Sequence, residues 1–252
     1  MAAVCRTARV WQGLAMGTRH FATGCGIIVV TLIAACGRTW HAPPVAEAPM
    51  ASGVARRITF DDLRSGHPPT GFLCAAPGPA GAKPARWEVI AVPDAPSGSQ
   101  VLAQLDDDDT NNRFPMALVA DATWKDVRVA VQAKAVAGAR DRSFGVVVRA
   151  RDERNYYVAR ANTSGWGENV RFYKVVDGKR GQLEEWEGDV KPGAWHRLQV
   201  DALGDDFTVT LDGKAILHAH DASFPAAGMV GVWTKAEAVS WFDDLTITGS
   251  TP

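Results

Sequence analysis

The 252-residue sequence predicts an all-β fold, two antiparallel sheets packed as a jelly-roll sandwich in a single domain. Three observations predict it. Runs rich in β-branched and aromatic residues recur at short spacing, about a dozen of them between Ile58 and Gly249. Asp-Gly pairs and polar clusters separate them, and these residues reach the positive φ that tight hairpin turns demand. Helical periodicity is absent throughout.

The elements follow in order. Ile58-Thr-Phe-Asp-Asp-Leu63 opens the series before a loop with Gly66, Pro68, Pro69 and Gly71. Trp87–Val92, Val101–Leu105 and Met116–Ala120 are short strands, with the acidic turn Asp106–Asp109 among them. Asp126–Lys134 alternates apolar and polar residues with period two, the mark of a half-buried strand. The clearest ladder comes next. Ser143–Ala150 leads through the polar turn 151–155 into Tyr156–Asn162, followed by Asn169–Lys179, Trp195–Val200 and Phe207–Lys214. Met229–Trp233 and Trp241–Ile247 close the domain. Phe60-Asp-Asp-Leu63 recurs as Phe242-Asp-Asp-Leu245, so these two runs are expected as first and last strands lying side by side.

The turn at 151–155 assigns two faces to the central hairpin. With Arg151 opposite Tyr156, Arg149 opposes Val158 and Val147 opposes Arg160. Phe144, Val146, Val148 and Ala150 then share a core face with Tyr157, Ala159 and Ala161. Arg149, Tyr156, Arg160 and Asn162 take the other face, joined by Arg171 and Tyr173 if Val170 and Phe172 point inward. Trp233 and Lys235 extend this into a patch of cations and aromatic rings. Guanidinium forks and aromatic faces suit an anionic or hydroxyl-rich ligand. An outward sheet face also carries polar and amphipathic residues without any ligand.

Composition bounds the partners. Nine tryptophans against three tyrosines fit either a Trp-rich core or platforms for sugar rings. A net charge of −1 with no clustered basic patch excludes a nucleic-acid footprint.

The N-terminus reads as processing signal rather than fold. Arg6, Arg9, Arg19 and His20 precede the apolar run Gly26–Ala35, too short to span a bilayer as a helix, which takes about 20 residues. Met16 would open a more compact signal. Ile33-Ala-Ala-Cys36 resembles the bacterial lipobox, so residues 1–35 are expected as a lipoprotein signal peptide and Cys36 as the acylated first mature residue. The Ala/Pro-rich stretch 36–57 would be a flexible tether and 58–249 the jelly-roll domain. Cys5 and Cys25 leave with the signal, so Cys74 remains as a lone thiol and the core must carry the stability. The expected location is the bacterial cell envelope, with the N-terminal lipid as the only membrane contact.

Metal and catalytic signals are sparse. Asp106–Asn112 is rich in oxygen ligands but lacks EF-hand spacing, which favours an exposed acidic turn over a calcium site. Asp61 and Asp243 form a second calcium candidate if the end strands pair. Structural calcium is thus the only cofactor the residues suggest. Glu184, Glu185, Glu187 and Asp189 crowd one loop, where a solvated surface competes with the paired carboxylates of glycoside hydrolysis. His218 and His220 sit two apart without an evident third ligand, and His196 opens a strand.

Residues 144–160, Arg171-Phe-Tyr-Lys-Val-Val-Asp-Gly178, Trp195-His-Arg-Leu198, Leu211-Asp-Gly-Lys214 and Gly231-Val-Trp-Thr-Lys235, ending in Phe-Asp-Asp-Leu, together resemble the concanavalin A-like jelly rolls. The similarity is to the laminin-G-like branch that includes bacterial 3-keto-disaccharide hydrolase domains, and it covers roughly Ile58 to Gly249. It implies two curved antiparallel sheets, ligands often on the concave one, and a sugar-binding or sugar-cleaving role. The Glu-x-Asp-x-x-Glu run of the family-16 glucanases is absent, which argues against that chemistry. The reading that results is a lipid-anchored envelope protein whose domain binds carbohydrate or a related surface polymer without catalysis. A glycoside or 3-keto-disaccharide hydrolase is the alternative, and a structural, protein-binding envelope lipoprotein the second.

Overall fold

Every regular element among the described residues is a strand. The computed structural model describes residue 53 and residues 55–164 and 167–249. In chain order the strands are β1 (Ala55–Ile58), β2 (Phe72–Ala75), β3 (Trp87–Ala91), β4 (Gln100–Gln104), β5 (Met116–Val119), β6 (Val127–Ala137), β7 (Ser143–Asp152) and β8 (Asn155–Asn162). Then come β9 (Asn169–Val176), β10 (Lys179–Glu187), β11 (His196–Leu203), β12 (Asp206–Leu211), β13 (Lys214–His220), β14 (Met229–Trp233) and β15 (Val239–Gly249). The signal segment, Cys36 and the tether as far as residue 52 lie outside the described residues.

Two antiparallel sheets result. The eight-stranded sheet runs β13-β12-β11-β6-β15-β4-β3 with β1 also on β15, and the seven-stranded sheet runs β10-β9-β8-β7-β14-β5-β2. Their facing sides make one core. Val127, Val129 and Val131 of β6, Leu198 and Val200 of β11, and Leu245 and Ile247 of β15 meet Val146 and Val148 of β7, Phe172 of β9 and Val232 of β14. Tyr157 sits at the centre of an aromatic group, with ring centroids 4.5 Å from Phe207, 5.1 Å from Phe224 and 5.9 Å from Phe172. Each fully buried Val, Leu, Ile or Phe contributes about 1.5–3 kcal/mol, and this core is built without a disulfide among the described residues.

First and last strands are neighbours, Ile58 pairing with Leu245. The first strand nevertheless lies three residues earlier than expected, at Ala55–Ile58. Phe60 turns the chain with φ 65°, so its Phe-Asp-Asp-Leu run forms a turn and only the second copy is strand. Both Asp residues instead bind the loop before β4. Asp61 accepts the Ser99 and Gln100 amides, and Asp243 accepts the Ser97 amide and hydroxyl.

The central hairpin keeps its expected core face from Phe144 to Val148, but not its expected register, and Ala150 within the bulge joins the outer apolar layer instead of the core. Val147 faces Val158, Gly145 faces Arg160 and Ser143 faces Asn162, with Asp152 opposite Asn155 across a two-residue turn. The ladder is interrupted between Val148 and Asp152 by a bulge in which Arg149 adopts φ 50°. That bulge absorbs the two-residue difference. It also turns Arg149 away from the face assigned to it.

Candidate functional site

The outer face of the seven-stranded sheet divides into a covered half and a polar half. On the covered half a second apolar layer joins Met116 and Leu118 of β5, Val147 of β7, Tyr156 and Val158 of β8, Tyr173 and Val175 of β9, and Trp233 of β14. Phe114 lies on Trp233 with ring centroids 5.4 Å apart, and the Trp233 indole N–H donates to the Tyr156 hydroxyl at 3.2 Å. Tyr156 and Trp233 are both fully buried. Two of the aromatic residues expected to meet a ligand therefore fill the space beneath a loop.

Arg113 holds that loop in place. Its guanidinium, fully buried, donates to the carbonyls of Lys83, Pro84 and Ala236 at 2.8, 3.1 and 3.0 Å, and pairs with Asp106 at 3.0 Å. Asp108 accepts the Thr110 hydroxyl at 2.6 Å and the Lys83 amide at 2.6 Å, and these bonds hold its carboxyl down at about 2. The turn Asp106–Asn112, rich in oxygen ligands, thus receives its cation from the chain itself. Among the described residues no group of three or more His, Cys, Asp or Glu side chains is placed to hold a metal ion.

Arg149 belongs to neither half. It donates to the backbone carbonyls of Lys125, Phe224 and Gly204, and its guanidinium lies 5.2 Å from the Phe207 ring centroid. Burial lowers its pKa, which nearby Asp126 opposes. The bulge at φ 50° turns the side chain from the outer face to this packed seam. Strict alternation predicts Arg149 on the outer face with Arg160, and the bulge between Val148 and Asp152 overturns that placement.

The polar half gathers around β8, β9 and β10. Arg160 and Arg171 are cross-strand partners, as are Asn162 and Asn169. Arg160 is only 6% exposed, donates to Asn169 Oδ1 at 2.9 Å, and leaves a buried Nε with no partner. Arg171, a third exposed, donates from Nε to Glu185 Oε1 at 2.5 Å, while Gln182 reaches the other carboxylate oxygen at 3.2 Å. The bonded Arg171 guanidinium holds the Glu185 carboxyl below the usual range. Arg180 spreads over the Tyr173 ring at 4.4 Å and over Phe114 at 5.2 Å, joining the two halves. Lys235 is bonded to Asp141. Asn162 donates to the Gly167 carbonyl at 2.9 Å.

Beside this half, at the β7–β8 and β9–β10 turns, a cavity of about 210 Å³ is lined by Pro77, Pro79, Asn112, Phe114, Arg154 and Asp177 among others. Phe114 is common to the cavity and to Arg180. Arg180, Phe114 and Asn169 were not among the expected site residues, and Glu185 was weighed only as one of a crowd of loop carboxylates. The acidic run that reads as a loop is strand β10, whose apolar Leu183 and Trp186 fall three apart because a bulge interrupts it between Gln182 and Glu184. A period-two search cannot see such a strand.

The remaining candidates lie elsewhere. His218 meets the Thr208 hydroxyl at 3.1 Å and His220 meets Asp206 at 2.8 Å on the other sheet. His196 bonds Asp212 at 2.7 Å and the Lys191 carbonyl at 3.0 Å. Cys74 is an exposed, unpaired thiol on β2.

No family profile matches the chain. Among curated proteins, the levanase of Bacillus subtilis (strain 168) is 29% identical over 98 residues, which is 38% of this chain. That stretch is 14% of the levanase, so the chain spans well under two thirds of this relative's length. Among solved structures, the carbohydrate-binding module CBM66 from Bacillus subtilis superposes with a TM-score of 0.55 at 19% identity, covering 71% of this chain and 96% of the module. A Bacillus subtilis protein of unknown function with a galectin-like fold gives 0.51 at 8% identity, over 71% and 90% of the two chains. The two sheets and these likenesses together establish the fold as an all-β jelly-roll sandwich shared with CBM66 and galectin-like structures.

Proposed function

We propose that the chain is a non-catalytic carbohydrate-binding protein whose ligand contacts the polar half of the seven-stranded sheet's outer face, and that a lipid on Cys36 holds it at a bacterial envelope. The observation that carries the binding reading is Arg160, a nearly buried guanidinium with an unpaired Nε beside the Arg171–Glu185 pair. Planar donors next to a carboxylate acceptor match the alternating donor and acceptor character of a sugar's hydroxyls. Arg160, Arg171 and Lys235 remain in the proposed site, while Tyr173, nearly buried beneath the Arg180 guanidinium, supports it from below. Arg149, Tyr156 and Trp233 shape it from beneath or from a distance. The fold it shares with CBM66, and the partial identity to a levanase, support the ligand class.

Glu185 and Glu237 favour binding over hydrolysis. A glycosidase needs a general acid kept protonated near neutrality. Arg171 holds Glu185 ionised, and although burial pushes Glu237 up, the Asp141 and Arg140 amides hold it below its usual value. Ionised carboxylates accept hydrogen bonds from hydroxyls.

A glycan array followed by a reducing-end release assay tests this reading. Binding without release is the expected result. Release would install the hydrolase alternative, and silence on the array would favour the protein-binding one. Arg171→Ala should weaken binding roughly tenfold or more, since a hydrogen bond from a charged donor is worth about 1.5–3 kcal/mol. The anchor is tested separately: labelled palmitate should incorporate and be lost in Cys36→Ala.

A further inference from the structure

The cations of the polar half are not balanced by the acids around them. Arg171 has Glu185 and Lys235 has Asp141. Neither Arg160 nor Arg180 has a carboxylate at ion-pair distance among the described residues, although Asp141 and Glu185 lie near enough to act on Arg160. Arg160 is bonded to a neutral amide oxygen and its buried Nε is unpaired. Arg180 is carried on the Tyr173 and Phe114 rings, with its Nη1 buried and also unpaired.

Their placement makes this more than a surface irregularity. Arg160 lies opposite Arg171 on the neighbouring strand, and Tyr173, the next outward residue on β9, holds Arg180 against its ring. Three guanidiniums therefore surround one aromatic residue, with a single carboxylate, that of Glu185, bonded to any of them. Burial lowers the Arg160 pKa, and the Arg180 and Arg171 charges lower it further against the opposing Tyr173 and Asp141. Like charges held together with unpaired donors are an arrangement that an incoming anion stabilises.

We infer that the site takes an anionic carbohydrate, whose charged substituent provides the acceptors that Arg160 and Arg180 lack. This deepens the carbohydrate reading and rests on it. The substituent is a planar or tetrahedral oxyanion, because the guanidinium fork accommodates both. The neighbouring Glu185 carboxylate serves the hydroxyls of the same sugar. It also disfavours a free polyanion that brings no hydroxyls.

Calorimetric titration of the full-length chain with oligosaccharides of matched length tests the inference. The arms are a neutral glucan and fructan, a uronate oligomer, a sulfated glycan and a phosphorylated glycan. One anionic arm is expected to bind at least tenfold more tightly than the neutral arms, and its affinity should fall with added salt. Arg160→Gln and Arg180→Gln should each remove most of that preference, while Arg160→Lys should retain part of it. Arg180 is half-buried on the surface, so its variant decides the matter if Arg160→Gln fails to fold. Equal, salt-insensitive affinity for neutral and anionic arms would overturn the anionic assignment and leave carbohydrate binding standing. Failure of every arm would overturn both.

Discussion

Arg113, Arg149 and Arg160 are three buried guanidiniums with three different solutions to desolvation. Arg113 has carboxylates and carbonyls, Arg149 has carbonyls and a ring, and Arg160 has an amide and one unpaired N–H donor. Breaking a buried ion pair by removing one partner costs about 3–5 kcal/mol, so Arg113→Met should lower stability by that order. Thermal and urea unfolding would measure it. A loss under about 1 kcal/mol would mean that Asp106 and Asp108 rehydrate freely. Side-chain direction was legible for Arg160, Tyr156 and Trp233, because strand alternation fixes it. What covers Tyr156 and Trp233 was not legible, since Phe114 stands in an irregular connection whose path no periodicity records. For Arg149 alternation misled, because a bulge changes the count without changing residue type.

Strand identity followed the same division. β7, β8 and β14 announce themselves by β-branched alternation, and the structure has them where the sequence puts them. β10 is mostly charged and interrupted by its bulge, so the strand that supplies Arg180 and Glu185 read as a solvated loop. The inner strand β14 depends on a glycine for its spacing. A Cβ at Gly231 would stand 2.1 Å from the Ala117 carbonyl oxygen and 2.8 Å from Leu118 Cα on β5. Gly231→Ala must push β5 away from β14 and should cost about 1–3 kcal/mol, the usual range for overpacking. Since β5 carries Met116 beneath the Phe114 cover, the variant should also loosen that cover. Faster tryptophan quenching by acrylamide would report it, and unchanged quenching with an unchanged melting temperature would refute the steric account.

For the molecule as a whole, acid should be the effective denaturant. Burial pushes Asp221 up, but bonds from Lys174, Ser223 and Tyr157 hold it far below the ordinary carboxylate value, and Asp108 is held at about 2. Folded values below the unfolded value of about 3.9 stabilise the protein above that pH, and the contribution is lost as pH falls through the folded values. Asp243 runs the other way: burial raises it, so its effect favours the fold at low pH and fades as pH rises through its folded value. Two depressed groups oppose this single raised one. Urea midpoints should hold steady from pH 7 to 5 and drop steeply between about 4 and 2. A midpoint rising through that window would contradict this sign. The two-sheet architecture was legible at this scale because many short strands need two packed layers to bury one face each.

The Arg149 seam has a consequence in time as well as in energy. Its carbonyl partners at Lys125, Phe224 and Gly204 stand 24, 75 and 55 residues away along the chain, and they come from connections rather than from strand ladders. Contacts of that span close only after the sheets have largely assembled, so they belong on the native side of the folding barrier. Arg149→Met should therefore accelerate unfolding severalfold while leaving the refolding rate nearly unchanged. Stopped-flow chevrons would separate the two limbs. A slowed refolding limb would instead place this seam in the nucleus. On the expected outcome, Arg149 acts as a late latch, setting how long the folded protein lasts rather than how quickly it forms.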